Sequence, residues 1–309
     1  MLQTKKIERI LLTGGTGLFG TAIQKIVHKK VEGFSIYFPE RFLPACLPFH
    51  IRAADVTDLH AMENVFEWAK PDVVIHAAAV GSVDYAEQHK EFTRKVNVGG
   101  TEIVTRLCEK WRCRLIYISS NAVFDGTAPF YSEKDETNPI NYYGQLKVDA
   151  EKVVMQSNVS WAIVRPILMY GWPYPEERGN LVTTWVRQLR EEKRINVVDN
   201  VFSKPLCSIA CAEAVNAVVE KNASGIFHIA GKDHVSLYDF ALLTAEVFGL
   251  DSSLINPVPD TFFNELVPRP RDTSFDTSKM ERELGIIPLS LRDGLRRMRE
   301  AEKTESFLE

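Results

Sequence analysis

Surplus positive charge, paired cysteines, histidine clusters and long apolar runs are all missing from this sequence. With 37 basic against 41 acidic residues the net charge is -4, so no general field draws phosphate backbones or anionic surfaces, and nucleic acid is not an expected partner. The five cysteines (Cys46, Cys108, Cys113, Cys207, Cys211) are odd in number and form no C-x-x-C pair, which argues against a disulfide framework and a zinc site. Seven scattered histidines give no H-E-x-x-H and no ligand spacing, so no metal is expected. No run approaches the ~20 apolar residues of a membrane span, and MLQTKKIERI lacks a signal peptide's apolar stretch. A soluble, cytoplasmic protein with no membrane partner is expected.

What is present is alternation. From residue 7 to about 230, short β-rich runs alternate with segments of helical period, as in a parallel sheet flanked by helices. The runs Arg9–Thr13, Phe34–Phe38, Asp72–Ala77, Leu115–Ser119, Trp161–Pro166 and Ile226–Ile229 are almost continuously apolar, as strands covered on both faces should be. Helices are expected at Thr21–Lys30, Asp58–Ala69, Glu91–Trp111, Tyr142–Gln156 and Ala212–Lys221, the second capped by Thr57 and stopped by Pro71. After Pro166 the composition shifts: the breaker-rich "LMYGWPYPEERGN" leaves the sheet, and helices at Leu181–Glu192, Leu237–Phe248, Thr277–Leu284 and Leu291–Lys303 suggest a second unit. The expected class is α/β, with a nucleotide-type domain over 1–166 plus about 205–230 and a smaller discontinuous lobe over about 167–204 and 231–309.

The glycine run "TGGTGLFG" (13–20) joins the first strand to the first helix. In that setting Gly14 permits the tight turn, Gly17 lets backbone approach a pyrophosphate, and Gly20 allows close helix packing, with the anion on the helix N-terminus. Gly15, Gly17 and Gly20 fit G-x-G-x-x-G equally well, and the string alone leaves both readings open. Thr16, Leu18 and Phe19 complete the loop. The acidic residue that grips a ribose 2′-hydroxyl is expected at the end of the second strand, where Phe38 and Pro39 stand instead. Arg41, just after Glu40, could pair with a 2′-phosphate. NADP(H) is therefore expected in preference to NAD(H).

Residues 141–147 read "NYYGQLK", and Tyr143 has Lys147 four positions on, sharing a helical face. A nearby cation stabilises a phenolate and moves a tyrosine from its usual value of about 10 toward operating pH. The strand "RLIYISS" ends in serines whose hydroxyls could hold a carbonyl oxygen.

Together with "DVTD" (55–58), "PDVVIHAAA" (71–79), "VNVGGT" (96–101), "YISSNAVFDG" (117–126) and "VRP" (164–166), these motifs resemble the extended short-chain dehydrogenase/reductase superfamily over nearly the whole chain. The stretches "AVFDGTAPFYSEKDETNPINYYGQLKVDAEK" and "RPRDTSFDTSKMERELGI" most resemble dTDP-4-dehydrorhamnose reductases. The resemblance implies a Rossmann-type doubly wound parallel sheet, Ser120, Tyr143 and Lys147 as the catalytic set, and Ser119 as a structural neighbour. It puts Asp55 and Val56 against the adenine, Ala77, Ala78 and Ala79 along the cofactor, Asn97 behind the active site, and Pro166 among the cofactor contacts. His76 reads as a strand-end hydrogen-bonding residue.

Asn121 and Ala122 depart from the Asp and Tyr usual after the Ser/Thr of rhamnose-type reductases, and they cannot supply the Asp-Glu pair of the related dehydratases. The expected activity is reduction of a nucleotide-linked keto sugar, with Ser120, Asn121, Asn180 and Arg269 as substrate contacts and Arg271 as a further candidate for the diphosphate. A homodimer is compatible with this reading. Two alternatives stand beside it: a nucleotide-sugar 4-epimerase, and a non-catalytic NADP-binding regulatory subunit like methionine adenosyltransferase β.

Overall fold

A computed structural model gives the fold of residues 7–39, 47–174, 178–263 and 266–304. Seven strands form one sheet: β1 (Arg9–Thr13), β2 (Glu32–Tyr37), β3 (His50–Ala53), β4 (Val73–His76), β5 (Arg114–Ile118), β6 (Trp161–Pro166) and β7 (Gly225–Ile229). Their order is β7-β6-β5-β4-β1-β2-β3, with every neighbouring pair parallel. The chain starts at β1, runs outward through β2 and β3, then crosses back to β4 on β1's other side. That reversal opens a crevice beyond the carboxyl ends of β1 and β4, where doubly wound sheets take their ligands.

Strand alternation divides the core between the two faces. Ile10, Leu12, Ile75, Ile116 and Val164 face one layer, and Leu11, Val74, Leu115, Tyr117 and Ile163 the other. Each buried side chain of this size contributes about 1.5–3 kcal/mol. Helices α1 (Leu18–Val27) and α6 (Ser208–Glu220) cover the first face, and α2 (Leu59–Ala69) and α3 (Gly100–Trp111) cover the second. The helix that follows α3, α4 (Tyr142–Met155), carries the Tyr-Lys pair.

Beyond β6 the chain adds α5 (Leu181–Arg190), α7 (Leu237–Phe248) and α8 (Leu291–Thr304) with three short strand pairs. Phe240 anchors this layer, with the rings of Trp185 at 5.1 Å and Tyr170 at 5.3 Å.

The differences from expectation are local and have physical causes. β3 was not expected, because His50, Arg52 and Ala53 are exposed on a polar sheet edge and carry no apolar run. A short helix, Val83–Gln88, follows β4 where no element was expected, with the Ser82 side chain accepting from the Tyr85 N–H. The expected helix 91–111 contains a wider turn at Lys95–Gly99, and the expected helix 277–284 likewise widens at Met280–Leu284. α2 is capped by Asp58 and not by Thr57. The Thr57 N–H bonds the Asp55 carboxylate at 2.8 Å, a turn that moves the cap one residue on. α1 and α6 begin earlier than expected, α1 directly after the glycine loop and α6 directly after the short strand Leu206–Cys207.

Candidate active site

A cleft of about 1810 Å³ lies between the carboxyl end of the sheet and the layer of α5 and α7. Gly14, Gly17, Leu18, Phe19 and Gly20 line its floor, and Ala77, Ala79 and Pro166 continue that wall.

The glycine loop explains its own composition. Gly14 has φ +74, and a Cβ there would stand 2.8 Å from the Ala78 nitrogen. A Cβ on Gly20 would fall 2.2 Å from the Gly14 carbonyl oxygen, and one on Gly15 would collide with the Ser35 side chain. Gly14 and Gly20 thus fill the turn and packing roles, while Gly15 serves the contact with β2. Gly17 differs: a Cβ there would meet nothing nearer than Gly14 O at 3.5 Å. α2, α4, α5 and α7 begin on the side-chain caps Asp58, Asn141, Asn180 and Ser236, but α1 begins on Gly17 with no side-chain cap, at the cleft wall. An uncapped helix start with a bare backbone before it fits a diphosphate.

Behind this loop a hydrogen-bond chain fixes two strand ends together. The Thr13 hydroxyl accepts from the Ala77 and Ala78 N–H groups, both at 3.1 Å, so its own proton goes to His76 Nδ1 at 2.7 Å. His76 therefore carries its proton on Nε2 and donates to Thr101 Oγ1 at 3.1 Å, which donates to the Asn97 carbonyl. Burial, helped by the Lys147 charge, lowers His76 to about 3, in keeping with a neutral structural ring. Asn97 clamps the Val80 backbone through both halves of its amide, at 2.8 and 3.1 Å.

On the facing wall Ser120, Tyr143 and Lys147 meet in the cleft. Ser120 lies two residues past β5, where its hydroxyl accepts from the Ala122 N–H at 3.1 Å. Lys147 is buried and donates to the Ile118 carbonyl at 2.9 Å and to Tyr117 Oη at 3.3 Å. Burial lowers its pKa to about 8, against the pull of the Glu151 carboxylate. The expected depression of Tyr143 is not seen. Burial raises its pKa, with the Ser120 hydroxyl opposing, while the Lys147 ammonium donates to Tyr117 and the strand carbonyl.

Other expected contacts separate into those that reach the cleft and those that do not. Asn121, Asn180 and Arg269 line it. Asn121 donates to Thr273 Oγ1 at 2.5 Å, and Asn180 caps α5 while donating to the Gly171 carbonyl at 2.7 Å, so both amides are engaged within the fold. Arg269 pairs with Asp84 at 2.8 Å. Arg271 is not on the cleft wall and is held by Asp260 at 2.6 and 3.0 Å. Thr16, Asp55, Val56, Ala78 and Asn97 are also off the wall, where they support it: the Asp55 carboxylate holds the turn before α2, and Val56 packs under Gly100. Arg41 lies outside the described residues, as does Glu40. Sequence reasoning overlooked Arg178, Arg187 and Arg190 on the far wall, although Arg187 and Arg190 stand one turn apart on α5. Among the described residues no group of three or more His, Cys, Asp or Glu could hold a metal ion.

The RmlD substrate binding domain family matches residues 8–303. The chain belongs to this family. Its relatives include methionine adenosyltransferase 2 subunit beta of Xenopus laevis, 30% identical over 289 residues, covering 90% of this chain and 83% of the relative. The dTDP-4-dehydrorhamnose reductase of Aggregatibacter actinomycetemcomitans is 26% identical over 307 residues, covering 95% and 99%. The crystal structure of dTDP-4-dehydrorhamnose reductase from Bacillus anthracis in complex with NADP superposes with a TM-score of 0.82 at 25% identity, covering 95% of this chain and 99% of that one. The fold of this RmlD-family chain matches that reductase over 95% of its length.

Proposed function

We propose that the protein is an NAD(P)H-dependent reductase of a nucleotide-linked 4-keto sugar of the dTDP-4-dehydrorhamnose type, acting on the C–OH/C=O couple. The observation that carries this reading is the meeting of Ser120, Tyr143 and Lys147 opposite an uncapped α1 N-terminus in one cleft.

In this reading Gly17, Leu18 and Phe19 present backbone to the cofactor diphosphate, Ala77 and Ala79 flank it, and Arg41 favours the 2′-phosphate of NADP(H). The nicotinamide supplies the hydride when bound. Ser120 holds the sugar ketone oxygen, and Tyr143 donates its phenolic proton to that oxygen. A general acid must start loaded, and burial, by raising Tyr143, keeps the phenol protonated at neutral pH. Lys147, still charged below about 8, would stabilise the phenolate left behind and would hold the nicotinamide ribose of a bound cofactor. Residues about 167–204 and 231–309 form the substrate lobe, where Arg187 and Arg269 offer positive charge to the nucleotide diphosphate.

The test is NADPH oxidation with dTDP-4-dehydrorhamnose. Tyr143→Phe is expected to lower kcat by about 10²–10⁴-fold with NADPH affinity retained; unchanged turnover would overturn the assignment.

A second reading rests on the 30% identity to methionine adenosyltransferase 2 subunit beta. There the same cleft binds NADP(H) in a regulatory subunit without turnover. A stoichiometric complex with a methionine adenosyltransferase catalytic subunit, together with no reduction of any keto sugar, would favour it.

A further inference from the structure

Two helical turns past Tyr143 and one past Lys147, α4 places a carboxylate, Glu151, in the protein interior. It is 1% exposed and fully engaged. Its Oε1 accepts from Ser119 Oγ at 2.5 Å and from Arg165 Nε at 2.9 Å, and its Oε2 accepts from Arg165 Nη2 at 2.6 Å. The guanidinium continues through Nη1 to His228 Nε2 at 3.2 Å, and His228 Nδ1 donates to the Tyr131 carbonyl at 3.0 Å. His228 is thus neutral, with burial and the Arg165 charge lowering it to about 3. One carboxylate links the end of β5, α4, β6 and β7.

A buried ion pair is a poor way to gain stability, since desolvation cancels much of the attraction. Its position suggests another use. Ser119 still pairs with β6, its N–H donating to Val164 O at 2.7 Å, and Ser120 is extended at φ -160 and ψ 157. Successive side chains along such backbone point to opposite sides, so fastening Ser119 inward turns Ser120 toward the cleft. The same carboxylate supplies negative charge one turn from the Lys147 ammonium. The other groups around Lys147 are the Arg165 cation that Glu151 also holds, and Tyr117 on β5, His76 on β4 and Tyr143 on α4, these three uncharged in the states described, so Glu151 is the anion of this cluster and is shared between Arg165 and Lys147.

We infer that Glu151 is a positioning residue for the proposed reaction, aiming Ser120 through Ser119 and keeping Lys147 charged. This rests on the reductase reading for its effect on turnover, but its hold on Lys147 can be measured without turnover.

The experiment compares wild type, Glu151→Gln and Ser119→Ala, with Lys147 followed by NMR of 13Cε-labelled lysine and its signal assigned with Lys147→Arg. In Glu151→Gln the Lys147 midpoint is expected to fall below that of wild type, because the carboxylate that raises it is gone. The alkaline limb of the kcat–pH profile should move down with it, and kcat should drop by about tenfold or more while KM for NADPH stays within twofold. Ser119→Ala keeps both charges, so it should lower kcat with the Lys147 midpoint unmoved. That pairing also serves if Glu151→Gln does not fold. An unmoved midpoint in folded Glu151→Gln, or full kcat in Ser119→Ala, overturns the inference. A shifted midpoint in a protein whose wild type reduces no keto sugar overturns the reductase reading and leaves the grip of Glu151 on Lys147 standing.

Discussion

Within the glycine loop, neighbouring positions answer to different demands. Gly20→Ala drives a methyl into the Gly14 carbonyl, a backbone atom that cannot step aside. Such overpacking costs about 1–3 kcal/mol, and thermal denaturation should register it as a lower Tm. Gly17→Ala has ordinary contacts and a φ of -66, suited to any residue, so Tm in the absence of ligand should match wild type. Its methyl nevertheless points where the diphosphate is proposed to lie, and NADPH affinity by titration should weaken by about tenfold or more. Equal cofactor affinity in Gly17→Ala would remove the diphosphate from this helix start.

For whole elements, α5 forms the wall that the sequence reading left undescribed. Arg190 is clamped by both oxygens of Glu302 at 2.8 and 2.9 Å, whereas Arg187, one turn earlier, is exposed at the cleft. Hydrogen bonds to charged groups contribute about 1.5–3 kcal/mol. Arg187→Ala should therefore raise KM for the sugar nucleotide by about 10–100-fold and leave NADPH binding unchanged in steady-state kinetics. Elements whose logic is local were legible in the sequence. β1 and β6 fall on the expected residues, and the Tyr143–Lys147 spacing and the glycine loop each announce themselves within eight residues. β3 was not legible because an exposed edge strand needs no apolar pattern. Nor was the Glu151 network, whose Arg165 and His228 members stand 14 and 63 positions from their partners. Only the packing of β6 against β7 brings them together. The direction of the Tyr143 shift was not legible either: helical spacing reveals that Lys147 is near, but not how deeply the phenol is buried, which is what raises it.

Across the molecule, two buried neutral histidines set an acid limit. His76 and His228 both lie near 3 when folded, against an ordinary value near about 6.5. Above that ordinary value neither form takes a proton, and the stability they permit is intact. Below it the unfolded chain gains protons that the fold refuses, so stability is lost as pH falls toward 3, by about 1.4 kcal/mol per pH unit for each ring. Chemical denaturation between pH 6.5 and 4.5 should show this slope before most carboxylates titrate. His76→Asn, if it folds, should show a shallower slope; one as steep as wild type would mean His76 is not kept neutral.

The layer that carries the glycine loop has a consequence for the newborn chain. α1 lies directly against α6, whose Ala210, Ala212, Ala214 and Ala217 keep that helix slim, and Leu18 at the loop's exit sits by Gly171. Residues 13–20 thus write the cradle, yet their bracing is made some two hundred residues later. Nucleotide capture is in that sense among the last things the polypeptide learns to do, though its instructions come first.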